Sequence, residues 1–192
     1  MMPITGLILA GGMGRRMDSQ DKGLVSFRGK PMVAHVIKRF APQVNSLVIN
    51  ANRNADTYAT FGFSVVSDEV SGFAGPLAGL HAGLRACEAP LIATVPCDSP
   101  FLPLDLVARL LDAMTKESAD IAMALNDGFA QPVFALYKTT LLTSLETFLK
   151  AGERKIDLWT ARHRVANVVF DGTDDANAFA NINTIEELRS LS

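Results

Sequence analysis

Cysteine and histidine are scarce in this 192-residue chain. Cys87 and Cys97 form no Cys-x-x-Cys pair, and two thiols are too few for a disulfide framework, so a reduced cytoplasm is the simplest compartment. His35, His81 and His163 are scattered, with no His-Glu-x-x-His run or Cys/His cluster, which leaves little basis for a zinc site. No apolar run approaches the length of a membrane span. The stretch from Ile4 to Ala10 is short, has no basic segment before it and runs into Gly11-Gly12, so it predicts a first strand and not a signal peptide. Charge of one sign is also lacking. A formal net charge of -2 excludes a broad basic surface for nucleic acid, and any polyanion must be met by a local arrangement. Low-complexity linkers, internal repeats and long charge blocks are absent, so one domain over residues 1–192 is expected.

What is present is an ordinary globular composition, 48% apolar and 20% charged, in short apolar runs that alternate with helical patterns. Strands are predicted at Gly6–Leu9, Leu47–Ile49, Ser64–Val66 and Pro90–Val95. The intervening helices are a Pro31-initiated one with Val33, Val36, Ile37 and Phe40 on one side, a polar one near Asp56–Phe61, and Pro76–Cys87. An amphipathic helix follows at Leu104–Met114. The second half is more mixed, with strands at Ile121–Leu125, Val133–Tyr137 and Val165–Phe170, and helices at Thr140–Leu149, Lys155–His163 and Thr184–Leu191. Asn126-Asp127-Gly128 signals a turn whose loop is expected to exceed two residues. The alternation predicts an α/β fold around a mainly parallel sheet.

The segment LAGGMGRRMDSQDKG, Leu9 to Gly23, ends a buried strand in a glycine-rich basic loop. Successive backbone N–H groups in such a loop can face phosphate oxygens. It is not a Walker loop: the Gly29-Lys30 pair is followed by Pro31 where serine or threonine is required. Nor is it a dinucleotide fingerprint, because Met17 stands at the third glycine of Gly12-Met13-Gly14-Arg15-Arg16-Met17. A glycine loop alone predicts no more than a tight turn. Arg15, Arg16 and Lys22 change the balance, since clustered like charges favour an anion between them.

A second signal is Thr94-Val95-Pro96-Cys97-Asp98-Ser99-Pro100, an apolar strand that terminates in a carboxylate. In open α/β sheets ligands bind outside the carboxyl ends of strands, and magnesium commonly takes one or two carboxylates plus substrate phosphates. Asp98 is the candidate metal ligand. Asn50 and Asp68 close the second and third strands in the same manner, although each alone would be an ordinary turn residue. Cys97 is expected to be a buried spacer, Phe134 and Tyr137 core strand residues, and Asp105 part of a first helical turn.

Together with Gly29-Lys30-Pro31, the glycine loop resembles the signature of nucleotidyltransferases that activate a substrate with a nucleoside triphosphate. Asn50-Ala51-Asn52-Arg53, GPLAG at Gly75–Gly79, PCDSPFLP at Pro96–Pro103, QPVFALY at Gln131–Tyr137 and Asn181-Ile182-Asn183-Thr184 narrow this. The ordered set resembles the molybdenum cofactor guanylyltransferases, a family of molybdopterin nucleotidyltransferases, from about Leu7 to Leu188. Asp18, where a small residue is usual, and Ile185, in place of a proline, depart from the pattern.

The resemblance implies a Rossmann-like three-layer α/β/α sandwich of the nucleotide-diphospho-sugar transferase type. It implies transfer of GMP from GTP to molybdenum-molybdopterin with release of pyrophosphate. GTP contacts fall on Leu9, Ala10, Gly11, Gly12, Lys22, Asn50, Asp68 and Asp98; Arg15, Lys22 and Asp98 take the catalytic roles, and Asp98 holds Mg2+. The N-terminal half is expected to bind GTP and the C-terminal half to face molybdopterin. The molybdenum-insertion protein and acceptor molybdoenzymes are the implied partners, with neither nucleic acid nor membrane involved.

Arg154, Lys155, Trp159 and Arg162 are candidate pterin contacts, against the stronger expectation of an amphipathic helix with Trp159 in the core. A cytidylyltransferase acting on the same pterin is the nearest rival. Another small-molecule nucleotidyltransferase or a non-catalytic nucleotide-binding module is further off. Residues 1–30 hold five basic and two acidic side chains, an excess of +3, while the remaining residues hold 13 basic and 18 acidic ones. A basic first loop facing strand-end carboxylates suits one small polyphosphate.

Overall fold

A computed structural model describes residues 2–11, 21–70, 75–172 and 178–180. Strand β1 (Ile4–Leu9) is apolar on both sides because two cores claim it. Ile4 and Ile8 enter one, Leu7 and Leu9 the other, as the two-residue period of a strand requires. A small antiparallel pair, β2 (Ser26–Phe27) and β3 (Lys30–Pro31), then leads into α1 (Met32–Phe40), which buries Val33, Val36 and Phe40. The chain continues through β4 (Ser46–Asn50), α2 (Ala55–Ala59), β5 (Ser64–Val66), α3 (Pro76–Ala86), β6 (Leu91–Pro96) and α4 (Leu106–Lys116). β7 (Ile121–Asn126), β8 (Phe129–Lys138), α5 (Leu142–Lys150), α6 (Ile156–Thr160) and β9 (Val165–Val169) follow.

The main sheet runs β5-β4-β1-β6-β8-β7-β9. The first four strands are parallel; β8 is antiparallel to both its neighbours, and β9 is parallel to β7. Side chains of α1 and α4 fill the core on one face, and those of α3, α5 and Trp159 of α6 fill the other. The result is the expected mainly parallel α/β/α arrangement. α3 presses onto the sheet where Gly79 and Gly83 lie four residues apart on one side of it. A methyl group at Gly83 would land on the Leu7 side chain, and one at Gly79 on Asn50.

Three expectations are corrected. The β7–β8 connection is a two-residue hairpin. Asn126 pairs with Phe129, and Asp127 and Gly128 both take positive φ (50° and 77°), the tight turn whose twist suits a hairpin. The irregularity lies inside the ladder instead: Met123 pairs with Ala135 but Ala124 with Gln131, so Pro132-Val133-Phe134 bulge out. Pro132 has no N–H for the ladder, and its carbonyl accepts the Tyr137 hydroxyl at 2.7 Å. The helix expected over Lys155–His163 is shorter, Ile156–Thr160. Asp105 stands at the N-cap of α4, just outside the first turn. The closing helix expected at Thr184–Leu191 lies outside the described residues.

Asp120 ties the far edge of the sheet together. Its backbone N–H donates to the Arg164 carbonyl at 2.9 Å and its carbonyl accepts the Lys138 N–H at 3.1 Å. Its carboxylate accepts Lys138 Nζ at 2.9 Å and Arg164 Nε at 3.5 Å. These bonds, Lys138 foremost, hold the carboxyl pKa down to about 2 against the opposing effect of burial. A depressed carboxyl pKa stabilises the fold above the unfolded-state value and loses that contribution as pH falls through the folded value. Asp120→Asn is therefore expected to lower unfolding free energy at neutral pH by about 1 kcal/mol, solvent screening included. Urea titrations should show that gap closing between about pH 4 and pH 2; a gap constant with pH would assign the loss to packing.

Candidate active site

The carboxyl ends of β5, β4, β1 and β6 form a level row, because the hydrogen-bond ladder continues past the strands. Ala51 N–H donates to the Val66 carbonyl at 2.9 Å, Ala10 N–H to Asn50 at 2.8 Å, and Cys97 N–H to Leu9 at 3.1 Å. Four adjacent strands span about 14 Å. Along that edge the residues expected to bind nucleotide appear in the order Asp68, Asn50, Leu9-Ala10-Gly11, Asp98. Lys22 returns to the row from the far side of the glycine loop. Gly12 and Arg15 lie outside the described residues.

At one end Asn50, 2% exposed, donates from Nδ2 to Asp68 Oδ1 at 2.8 Å. Asn52 Nδ2 donates to Asp68 Oδ2 at 2.7 Å, and the Asp68 N–H returns a bond to Asn52 Oδ1 at 2.8 Å. Asn50 Oδ1 faces the Cα atoms of Gly11 and Gly79, with no side chain between. The Asn50 amide thus fills the space that side chains at Gly11 and Gly79 would need.

At the other end Asp98, 8% exposed, accepts Lys22 Nζ at 3.2 Å across 76 residues of sequence. Lys22 opens a short 3-10 turn, Lys22–Leu24, that packs beside Cys97. The Cys97 thiol is buried, and burial followed by the Asp98 charge pushes its pKa well up, so it stays a neutral spacer. Among the described residues no group of three or more His, Cys, Asp or Glu side chains converges as a metal centre. The residues nonetheless fit an ion of the magnesium kind. Such an ion keeps most of its shell as water and substrate oxygen and asks the protein for one or two carboxylates, and Asp98 offers one.

The C-terminal candidates separate. Trp159 is fully buried, stacked on Tyr137 with ring centroids 5.9 Å apart, and donates from Nε1 to Ser144 Oγ at 3.3 Å. It is a core residue and offers no ring to a ligand. Arg154 donates from Nη1 to the Leu149 carbonyl at 2.9 Å at the end of α5, and the Arg162 guanidinium lies 4.7 Å from the Phe148 ring centroid. Lys155 is the N-cap of α6. Phe134 and Tyr137 are fully buried, as expected.

Sequence reasoning gave no site role to Asn52, Gly79, Asp21 or Tyr58, although Asn52 and Gly79 stand within the motifs that carry the resemblance. Gly79 and Gly83 at four-residue spacing was a legible sign of a helix pressed onto a strand. Nothing in the sequence alone paired Asn52 with Asp68 or Tyr58 with Asp21.

Comparison with known proteins bears on this arrangement. Residues 6–166 match the model of the MobA-like NTP transferase domain. A molybdenum cofactor guanylyltransferase of Bordetella petrii is 55% identical, the alignment covering 98% of this chain and 96% of the relative. One of Shewanella putrefaciens is also 55% identical, with the same coverage of both chains. Among solved structures, molybdopterin-guanine dinucleotide biosynthesis protein A from Archaeoglobus fulgidus superposes with a TM-score of 0.82 at 24% identity. That superposition covers 97% of this chain and 95% of the other. CMP:2-keto-3-deoxy-manno-octonic acid synthetase complexed with CTP superposes with a TM-score of 0.76 at 15% identity, covering 98% of each chain. These two show the shared fold, that of nucleotide-diphospho-sugar transferases, while the sequence matches carry the kinship. The chain belongs to the MobA-like NTP transferase family, within its molybdenum cofactor guanylyltransferase branch.

Proposed function

We propose that the chain transfers GMP from GTP to molybdenum-molybdopterin and releases pyrophosphate. One observation supports this above the others: the Lys22–Asp98 pair stands at one end of the strand-end row and the Asn50–Asp68–Asn52 cluster at the other. A cation beside a carboxylate suits the phosphates, and an amide-braced carboxylate, which can accept hydrogen bonds from a base or sugar, suits the nucleoside.

In this reading Leu9, Ala10, Gly11 and Gly12 present backbone to the nucleotide, and Asn50 and Asp68 fix its nucleoside end. Lys22 and Arg15 lie along the triphosphate. Asp98 would hold Mg2+, which would supply charge neutralisation on the phosphates. A terminal phosphate oxygen of molybdopterin forms a bond to the α-phosphorus of GTP, and the bond to the bridging α–β oxygen breaks as pyrophosphate departs. A phosphate nucleophile is already ionised, so the protein needs no general base. Its task is to bring two anions together in line and to meet the charge that develops. Lys22 does this from a turn seated against β6, with its geometry set before reaction.

The acceptor enters from the β8 side. β6 pairs with β8 only as far as Thr94 opposite Ala135, where the Thr94 hydroxyl donates to the Val133 carbonyl at 2.9 Å. Beyond that point Val95 and Pro96 pair with β1 alone, opposite Ile8 and Leu9. The chain thus acts as one nucleotidyltransferase domain over 1–192, with GTP on the N-terminal half and molybdopterin toward the C-terminal half. The implied setting is the cytoplasm, with the molybdenum-insertion protein upstream and acceptor molybdoenzymes downstream. Among the described residues no helix is long and apolar enough to cross a membrane.

Asp98→Asn is expected to lower pyrophosphate release from GTP, with molybdopterin present, by about a hundredfold or more. The fold should be kept, since the Lys22 side chain is 25% exposed and can rehydrate. Near wild-type turnover would remove Asp98 from the chemistry, and faster release from CTP than from GTP would reassign the base. Lys22→Ala should weaken triphosphate binding and turnover, and also lower the melting temperature, because Asp98 loses a counter-charge while buried. Gly79→Ala should push Asn50 aside and weaken GTP binding by about tenfold in calorimetry, with the far-ultraviolet spectrum unchanged.

A further inference from the structure

Asp21 directly precedes Lys22, and both its carboxylate oxygens are engaged. Oδ1 accepts the Tyr58 hydroxyl at 2.5 Å, and Oδ2 accepts Asn54 Nδ2 at 3.0 Å. Both donors belong to the start and body of α2, and they brace one another: the Tyr58 N–H donates to the Asn54 carbonyl at 3.0 Å. Tyr58 is fully buried. Burial, with the neighbouring Cys97 and the bond to Asp21, raises its hydroxyl pKa far above the ordinary value, so the group remains a donor. The turn that follows is pressed between two surfaces. A methyl group at Gly23 would land on the Tyr58 hydroxyl and lie 3.3 Å from Cys97 Cβ and Sγ. Within the turn, the Leu24 N–H donates to the Asp21 carbonyl at 2.9 Å and the Val25 N–H to the Lys22 carbonyl at 3.3 Å.

The contacts therefore run from α2 through Asp21 into the turn, and from Lys22 across to Asp98. We infer that Tyr58 and Asp21 are positioning residues for Lys22, clamping the entry of its turn to α2 so that the ammonium meets the phosphates in one fixed place. The role rests on the GTP-transfer reading through Lys22, although neither residue touches substrate. A lysine whose turn was not tied to a neighbouring element would spread its charge over many positions, and misplacement by about an ångström is enough to cost a hundredfold in rate. The hydroxyl also resolves a local problem, since a buried phenol needs an acceptor. A purely structural role predicts only that second effect, and the two roles separate by experiment.

The test uses Tyr58→Phe and Asp21→Asn in the full chain. Both variants conserve side-chain shape. Hydrogen exchange at the Leu24 and Val25 amides reads the clamp directly and should quicken by about tenfold in each. In turnover with GTP and molybdopterin, kcat/KM should fall about tenfold in Tyr58→Phe, and the same change should cause no further loss in a Lys22→Ala background. Full additivity with Lys22→Ala, or unchanged amide exchange in both variants, overturns the inference. Faster exchange with wild-type turnover overturns it too, since the clamp would then not serve Lys22. Should the wild-type chain release no pyrophosphate from GTP, the transfer reading fails on its own, and the exchange measurement alone decides the clamp.

Discussion

A carboxylate cannot remain buried without compensation, and Asp98 is buried at the end of a strand whose residues are apolar apart from Thr94. Its charge is met by Lys22, which sequence places 76 residues away and the fold brings to 3.2 Å. Much of the N-terminal half can be understood from that demand. β1 and β6 must be adjacent and parallel so that the loop leaving one comes back over the end of the other. The glycine loop must return, and its returning turn needs a glycine where it passes between Tyr58 and Cys97. An ion pair of this partly exposed kind adds little to stability by itself. Its weight is in register: it fixes where along this edge the lysine ammonium stands.

The same edge carries a second solution to polar burial, one with neutral donors. Asn50 and Asn52 divide the two oxygens of Asp68 between them, and Asp68 returns a backbone bond to Asn52. Amide donors satisfy a carboxylate without bringing a full positive charge near it. The two ends of the row are thus electrostatically different, although each is built around one aspartate at a strand terminus. That difference gives the edge a direction, and an asymmetric ligand such as a nucleoside triphosphate can be read along it.

The first half of the fold was legible because its signals are local. Parallel strands buried on both faces are short apolar runs, and the helices between them repeat every three to four residues, so boundaries fell within a residue or two for β5 and α3. The strand-end residues Asn50, Asp68 and Asp98 were legible for the same reason: each interrupts an apolar run. Pairings across distance were not. That Asn52 would brace Asp68, or Tyr58 hold Asp21, depends on how β4, α2 and β5 stack, which no spacing encodes. The β7–β8 connection is shorter than expected because the second strand does not begin at Val133. The strand in fact begins at Phe129 and absorbs the proline in a bulge. Trp159 shows the limit from the other side. An aromatic amid arginines allows a ligand platform as well as a core helix in sequence; the core helix was the stronger expectation, and packing on Tyr137 places Trp159 there.

The change of strand direction at β8 has a physical consequence for the whole edge. A parallel strand beside β6 would have ended level with it and covered the flank of Asp98 with a further loop and helix. An antiparallel strand begins at this edge instead, and the Pro132–Phe134 bulge turns its backbone out of the ladder just where β6 runs on alone. The sheet therefore stays continuous through the core, where Thr94 still bonds the Val133 carbonyl, and opens only at the carboxyl ends. A reaction that joins two large anions needs such a flank. In the proposed transfer the nucleotide lies on one side of the carboxylate, and the acceptor must reach the same phosphorus from the other without displacing it. In a uniformly parallel sheet that second approach would be closed by the crossover connection, so the mixed topology serves a two-substrate transfer better than simple nucleotide binding.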